Sequence, residues 1–354
     1  MHTDWQNYLI QAGAIIAHGR VVDFDTEHKA AQRKADNIIC DLSHYTLLAV
    51  QGDDKVKFLQ GQFTNDVAKV DDLHSQLNAL CNNKGRMLAN FRVFSSDGTI
   101  FITLPQELAE ATLGRLQQYV LRSQVAMGDV SDALLSIGVS GQQAAAALSE
   151  HLGTLPADTD EVAQFETAIV IRCAGDNRFE LYATPEHMPT HWQALAASAS
   201  AVAADDWELL NIRAGIPVIT AATSEAFVPQ MANLELINGV SFTKGCYTGQ
   251  EIVARMHYLG KLKKRMYRIS IDSNKVPAAG EKLSEASATA TQDVGTIVSA
   301  QLAETGKVEA LAVIQNSYVK AGQLKLGSPD GADVTVLELP YSLESAAQAT
   351  RQKQ

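Results

Sequence analysis

The sequence predicts a mixed α+β protein, with two α+β layers of ferredoxin-like type followed by a small all-β domain. Three observations predict it. Runs of strand-forming residues interleave with helical patterns, and the turns between successive strands are short enough for antiparallel pairs. The strand, turn, helix pattern in "LLAVQGDDKVKFLQGQFTNDV" recurs in outline at "LLSIGVSG" and the alanine-rich stretch that follows. After Arg265 the texture shifts to short strands separated by Gly- and Pro-containing turns, the spacing of a small barrel or sandwich. A chain of 354 residues, 46% hydrophobic, is also too long for one ordinary core.

The elements follow in order. Residues 1–37 read as an N-terminal extension: an amphipathic helix, a short strand around "RVVDF" and a polar linker "DTEHKAAQRKAD". Residues 38–262 read as the α+β core. Its first strand ends at Gly52, and Val56, Leu59 and Phe63 then fall on one helical face. Between Leu73 and Leu104 the turns "NNKG" and "SSDG" separate three strands of a meander, and a helix with Ala109, Leu113, Leu116 and Val120 along one side follows Pro105. The second layer has the strand "LLSIGVSG", a helix from Gln142, the strands "TAIVIRCAG" and "RFELYAT", and a helix carrying Trp192 and Leu195. Residues 263–341 are the all-β domain, and 342–354 are a polar tail.

Charge and cysteine usage exclude several classes. A formal charge of -11 opposes non-specific nucleic-acid affinity, which depends on many cations neutralising phosphates, so direct nucleic-acid binding is not expected. The local basic run "GKLKKRMYR" reads either as a Lys-protected strand edge or as a landing site for an anionic ligand tail or acidic partner. Cys40, Cys81, Cys173 and Cys246 form no CxxC pair and show no metal-ligand spacing with His, so neither a disulfide framework nor a metal site is expected. The N-terminal run "AGAIIA" is too short for a signal core or a membrane span. A cytoplasmic protein with free thiols, monomeric and without membrane contact, is the expectation.

The stretch "FTKGCYTGQE" concentrates chemistry. "TGQEIVARM" has the form of a capping box, with Thr248 at N-cap and Glu251 reaching back, so Cys246 precedes a helix N-terminus. That terminus and Lys244 are features that lower a thiol pKa, and Gly245 and Gly249 let a ligand approach the backbone. The bland alternative is a buried cysteine acting as a small hydrophobe. His257 lies too far along the helix to serve as its base, and a redox pairing with Cys81 requires a proximity that spacing cannot establish.

"KGCYTGQE", with "LQGQFTNDV", "CNNKGRM", "WELLNIRAGIPVI" and "FVPQMANLEL", resembles the YgfZ family of folate-binding proteins, relatives of the glycine-cleavage aminomethyltransferase. The resemblance implies three subdomains around a central cavity, with tetrahydrofolate or a derivative as ligand. It further implies a role in maintaining iron–sulfur enzymes such as tRNA methylthiotransferases, and hence in tRNA thiolation. Cys246 is the implied functional thiol, supported by Lys244, Gly245, Tyr247, Gly249, Gln250 and Glu251. Tyr45, Trp207, Asn65, Asp66, Asn90 and Arg213 are the implied folate contacts. Three departures stand out. Tyr45 replaces a tryptophan, Arg213 stands where glutamate is frequent, and Asn82 stands where aspartate is common. Asn90 aligns with the transferase's essential aspartate, and an amide cannot serve as the base of one-carbon transfer, so an accessory role is expected over transferase activity.

Overall fold

The computed structural model describes residues 1–24, 37–258, 262–286, 293–321 and 323–343. The polar linker, Lys261 of the basic run and nearly all of the tail lie outside these residues. The described chain divides into two compact units. Met1–Phe58, Ala68–Gln76 and Arg92–Glu208 supply the first, and Leu59–Val67, Leu77–Phe91 and the chain from Leu209 supply the second.

The N-terminal helix Thr3–Gln11 is followed by a hairpin of β1 (Ala14–Ala17) and β2 (Arg20–Phe24). Trp5, Leu9, Val21 and Phe24 from this segment are buried in the main core of the first unit, among Ile39, Ile137, Val139, Phe179 and Trp192. Trp5 Nε1 donates to the buried carboxylate of Asp41 at 2.7 Å. The expected extension is thus an integral layer of that core, which its Trp and Leu spacing on one helical face permits.

The next strands are β3 (Ile38–Asp41), β4 (Tyr45–Gln51), β5 (Gln76–Cys81), β6 (Met87–Ser96), β7 (Thr99–Pro105) and β8 (Ala126–Asp129). They continue with β9 (Leu135–Ser140), β10 (Val162–Gln164), β11 (Ile169–Arg172), β12 (Arg178–Ala183) and β13 (Ser200–Val202). One sheet has the order β10-β11-β12-β9-β3-β13 and the other β5-β6-β7-β4-β8. The meander between "NNKG" and "SSDG" is present as β5, β6 and β7, and Asp97 and Gly98 both take positive φ, the geometry that closes a tight hairpin. Helices Gln106–Val120, Gln142–Leu152 and Met188–Ala196 occupy the positions their patterns predict. The short strands β8, β10 and β13 carry too few residues for a readable period, and β13 pairs parallel to β3, a long-range contact with no local signature.

In the second unit the barrel-or-sandwich alternative resolves as a closed barrel. Its strands are β14 (Lys264–Ile271), β15 (Lys282–Glu285), β16 (Gly295–Leu302), β17 (Val308–Gln315), β18 (Leu324–Leu326) and β19 (Asp333–Leu337), in the order β14-β17-β16-β15-β18-β19. Ile269, Ile271, Leu283, Ile297, Val308, Ala310, Ala312 and Ile314 fill its interior at alternating positions. Between the helices Ala204–Arg213 and Gln250–Tyr258 the chain forms turns without a regular element. Side chains hold it: Asn233 Nδ2 donates to Met266 O at 2.8 Å, and Gln230 Nε2 donates to Val253 O at 2.6 Å.

Candidate functional site: an exposed thiol on an anchored loop

Cys246 is the exposed cysteine, while Cys40, Cys81 and Cys173 are buried. The bland reading of Cys246 as a core hydrophobe is thereby set aside. Burial pushes the Cys81 thiol up to about 12, which keeps it protonated and unsuited to exchange with Cys246.

Three anchors hold the loop around Cys246. The Lys244 ammonium donates to the carbonyls of Gln60, Phe63 and Asn65 at 2.8, 2.6 and 2.8 Å, and lies 5.1 Å from the centroid of the Tyr247 ring. Burial draws its pKa down to about 8, against the opposing pull of Asp66. All three of its N–H donors are taken, so the lysine is a tether for the turn "GQFTND". The second anchor is Tyr247, which is 7% exposed and whose phenol is pushed up by burial and by its neighbour Cys81.

Gly249 is the third anchor. It has φ +83°, and a Cβ there would sit 2.4 Å from Asn82 O and 2.9 Å from the Gly85 Cα. The glycines of "NNKG" and "TGQE" therefore pack backbone to backbone, a contact that only two bare residues allow. This close approach corrects the capping box. The helix runs from Gln250 to Tyr258, and Gly249 O accepts from Val253 N at 3.4 Å, so Gly249 holds the N-cap position in place of Thr248. Glu251 is an exposed residue in the first turn, and Gln250 Nε2 reaches Gly245 O at 3.5 Å.

His257 stacks on Phe242, with centroids 3.7 Å apart, and faces Glu235 at 3.5 Å. Within the basic run, Arg265 bonds Glu235 at 2.8 Å, and Arg268 bonds Glu309 at 2.6 Å. That accounts for two of its five cations without any external anion.

The residues assigned to folate are distributed over both units. In the first, Trp207 is 1% exposed beneath the guanidinium of Arg178, 3.9 Å from its ring centroid. A Cβ on Gly138 would meet the indole at 2.5 Å, so the ring lies flush on strand β9. Tyr45 donates to Glu208 at 2.7 Å and lines a cavity of about 320 Å³ with Thr103, Gln106, Asp129 and Ser131.

In the second unit, Asn65 Nδ2 donates to Leu77 O and Asn238 O, and Asp66 accepts from Gln60 Nε2 at 2.7 Å. Asn90 donates to Pro217 O at 2.7 Å and accepts from Ile219 N at 2.8 Å, which engages both ends of its amide. Arg213 grips Glu304 through two bonds of 2.8 and 2.6 Å and also reaches Glu309. Asn82 Nδ2 donates to Glu225 at 2.9 Å, a contact that aspartate would turn into repulsion. As they stand, Trp207, Asn65, Asn90 and Arg213 do not fit a pterin: the ring face is covered and the polar atoms already have partners.

The sequence reading assigned no role to Gly85, Gln230 or Asn82 in holding the thiol loop. Gly85 had a signal, since it occupies a turn within a motif of its own. Among the described residues no group of three or more His, Cys, Asp or Glu could hold a metal ion, and no helix is long and apolar enough to cross a membrane.

The profile of the GCVT N-terminal domain matches residues 19–240. A curated protein of Yersinia pseudotuberculosis named "tRNA-modifying protein YgfZ" is 36% identical over 307 residues, 86% of this chain and 92% of the relative. A protein of the same name from Klebsiella pneumoniae is 35% identical over 306 residues, 86% of this chain and 93% of its own. The crystal structure of the glycine cleavage system aminomethyltransferase T from Bartonella henselae superposes with a TM-score of 0.75, covering 96% of this chain and 97% of that one at 15% identity. At that identity the likeness is one of fold.

Proposed function

This chain belongs to the YgfZ family, built on the GCVT domain, and on that premise we propose that it is a folate-linked accessory protein supporting iron–sulfur enzymes and, through them, tRNA thiolation. The observation that carries this reading is the exposure of Cys246 on a loop whose neighbours are tethered. A thiol that contributes nothing to packing, on a loop fixed by Lys244, Tyr247 and Gly249, is a group kept for chemistry.

Tetrahydrofolate or a derivative is the ligand in this proposal. Tyr45, which lines a cavity, remains the candidate contact that an incoming ring can reach without first displacing Trp207. A one-carbon transferase is the competing reading. The engagement of Asn90 by Pro217 and Ile219 opposes it, because a group that fastens two chain segments and carries no charge cannot also take a proton from a substrate.

The test is complementation of a strain lacking its own family member, with a thiolated tRNA nucleoside as the readout. Wild type should restore it and Cys246→Ala should not, although the variant folds normally. Restoration by the alanine variant would remove the thiol from the function.

A further inference from the structure

Two hairpin tips from different sheets meet in the first unit. Asp97 sits at the tip between β6 and β7, and Glu166 at the tip between β10 and β11. Gln164 clamps the two hairpins together: its amide nitrogen donates to Asp72 O and Ser95 O, both at 3.1 Å, and its amide oxygen accepts from Ser96 Oγ at 2.9 Å. Beside this clamp and the turn after β12 lies a cavity of about 490 Å³, whose lining belongs entirely to the first unit. Its aromatic wall is Phe101, Phe165 and Tyr182. Tyr182 is 1% exposed, with its hydroxyl held by Thr103 at 3.0 Å and Glu180 at 2.8 Å, and Phe101 stacks on Phe94 with centroids 5.1 Å apart. The charged rim is Asp72, Asp97 and Glu166, and the lining has His187 but no lysine or arginine. Asp72 accepts from Ser95 Oγ at 2.8 Å, whereas the side chains of Asp97 and Glu166 make no hydrogen bond or ion pair among the described residues.

From this pairing of fixed aromatic rings with uncompensated carboxylates, we infer that the cavity binds a small organic cation, an amine or amidine carried on a flat apolar body. Its lining shares no residue with the thiol loop or with the side chains assigned to folate. The volume is that of an ordinary small-molecule site, and the Gln164 clamp holds it open without a ligand to shape it. The aromatic wall alone would accept any flat ring. Charge decides which one. An anionic ligand would meet three like charges and neither a lysine nor an arginine, and a neutral ring would take water from the carboxylates without replacing it. A cation is favoured twice, by the electron-rich rings and by carboxylates whose attraction strengthens as water leaves the cavity.

The test titrates the full-length protein with 4-aminobenzamidine, a flat cation whose fluorescence rises in apolar surroundings. Binding should saturate with a Kd of roughly 0.1–1 mM, ordinary for so small a ligand. Benzamidine should displace it, its neutral isostere benzamide should need about tenfold more, and benzoate should not compete. Asp97→Asn with Glu166→Gln should weaken the probe about tenfold, and Asp97→Asn alone about threefold, without lowering the melting temperature. Asparagine takes the positive φ of residue 97 as readily as aspartate, so the hairpin tip is kept. A control pair, Glu110→Gln with Glu150→Gln, removes the same net charge from two exposed helical positions outside the cavity and should leave the affinity unchanged. Equal displacement by benzamide and benzamidine would overturn the inference, because the carboxylates would then select nothing. Equal weakening in the two pairs would overturn it as well, since the attraction would belong to the protein's overall charge, and so would a titration that never saturates.

Discussion

Trp207 in the first unit is 1% exposed beneath Arg178, while Cys246 in the second is exposed between tethered neighbours. Both were singled out by residue type, an aromatic for stacking and a thiol for reaction. The fold treats them oppositely: the indole is part of the packing that holds helix Ala204–Arg213 to strand β9, and the thiol packs against nothing that the fold needs. The difference teaches that residue type proposes a role and burial assigns it. A large aromatic gains so much from burial that a core position competes with every ligand-binding reading, whereas an exposed cysteine gains nothing from its position.

The largest expected effect breaks this comparison if it fails. Trp207→Ala removes a fully buried indole and its cation–π contact with Arg178, and should cost about 3–5 kcal/mol in urea unfolding. Cys246→Ala should change stability by no more than about 0.5 kcal/mol. A Trp207→Ala protein as stable as wild type would mean that the ring is free to leave Arg178 and turn to a ligand. That result would restore the stacking role.

Legibility of the sequence followed the range of the physics. Helices Gln142–Leu152 and Met188–Ala196 and the hairpin at "SSDG" were readable because period and turn chemistry are local. The motif "KGCYTGQE" was readable as a site, yet its mechanics were not. Lys244 looked like a charge placed near a thiol, and its acceptors are carbonyls some 180 residues earlier in the chain. Thr248 looked like an N-cap until the packing of Gly249 on Gly85 placed the helix start one residue later. Arg213 was read as a folate contact from its place in the motif, and its partners Glu304 and Glu309 depend on contacts more than ninety residues long. Asn90 was read for the charge it lacks, and the two bonds that give its amide a purpose come from a loop with no regular structure.

An intermediate effect sharpens the comparison within the second unit. Lys244→Met keeps the aliphatic stem and leaves the three carbonyls of Gln60, Phe63 and Asn65 without their donor. Each partly buried acceptor left unsatisfied is costly, and the sum should reach about 2 kcal/mol. The loss should appear as faster alkylation of Cys246 through local loosening of the loop. Trp5, Trp192 and Trp207 are the protein's only tryptophans and all belong to the first unit, so their fluorescence should stay constant under conditions where the alkylation rate has risen. Simultaneous change in both signals would show that Lys244 supports more than its loop.

The smallest expected effect reverses the arrangement, disturbing the first unit and sparing the thiol loop. His191 is 2% exposed; its Nε2 faces Thr167 O at 3.2 Å and its Nδ1 faces His151 Nε2 at 2.9 Å. Burial lowers its pKa below the usual histidine value, and the neighbouring His151 and His187 lower it further, while the Thr167 carbonyl pulls the other way. With Nε2 donating to Thr167, Nδ1 must accept from His151, and a proton arriving at Nδ1 would set two donors against each other. The unfolded chain takes up this proton at a higher pH than the folded one. The stability contributed by neutral His191 is therefore complete above about pH 6.5 and is lost as pH falls through the depressed folded value. Tryptophan fluorescence should report easier urea unfolding of the first unit at about pH 5.5 than at pH 7.5. His191→Gln can still donate to Thr167 and accept from His151, and it cannot titrate, so it should flatten that difference. If wild type and His191→Gln lose stability in parallel over this range, the acid sensitivity belongs to other groups, and the histidine pair is packing alone.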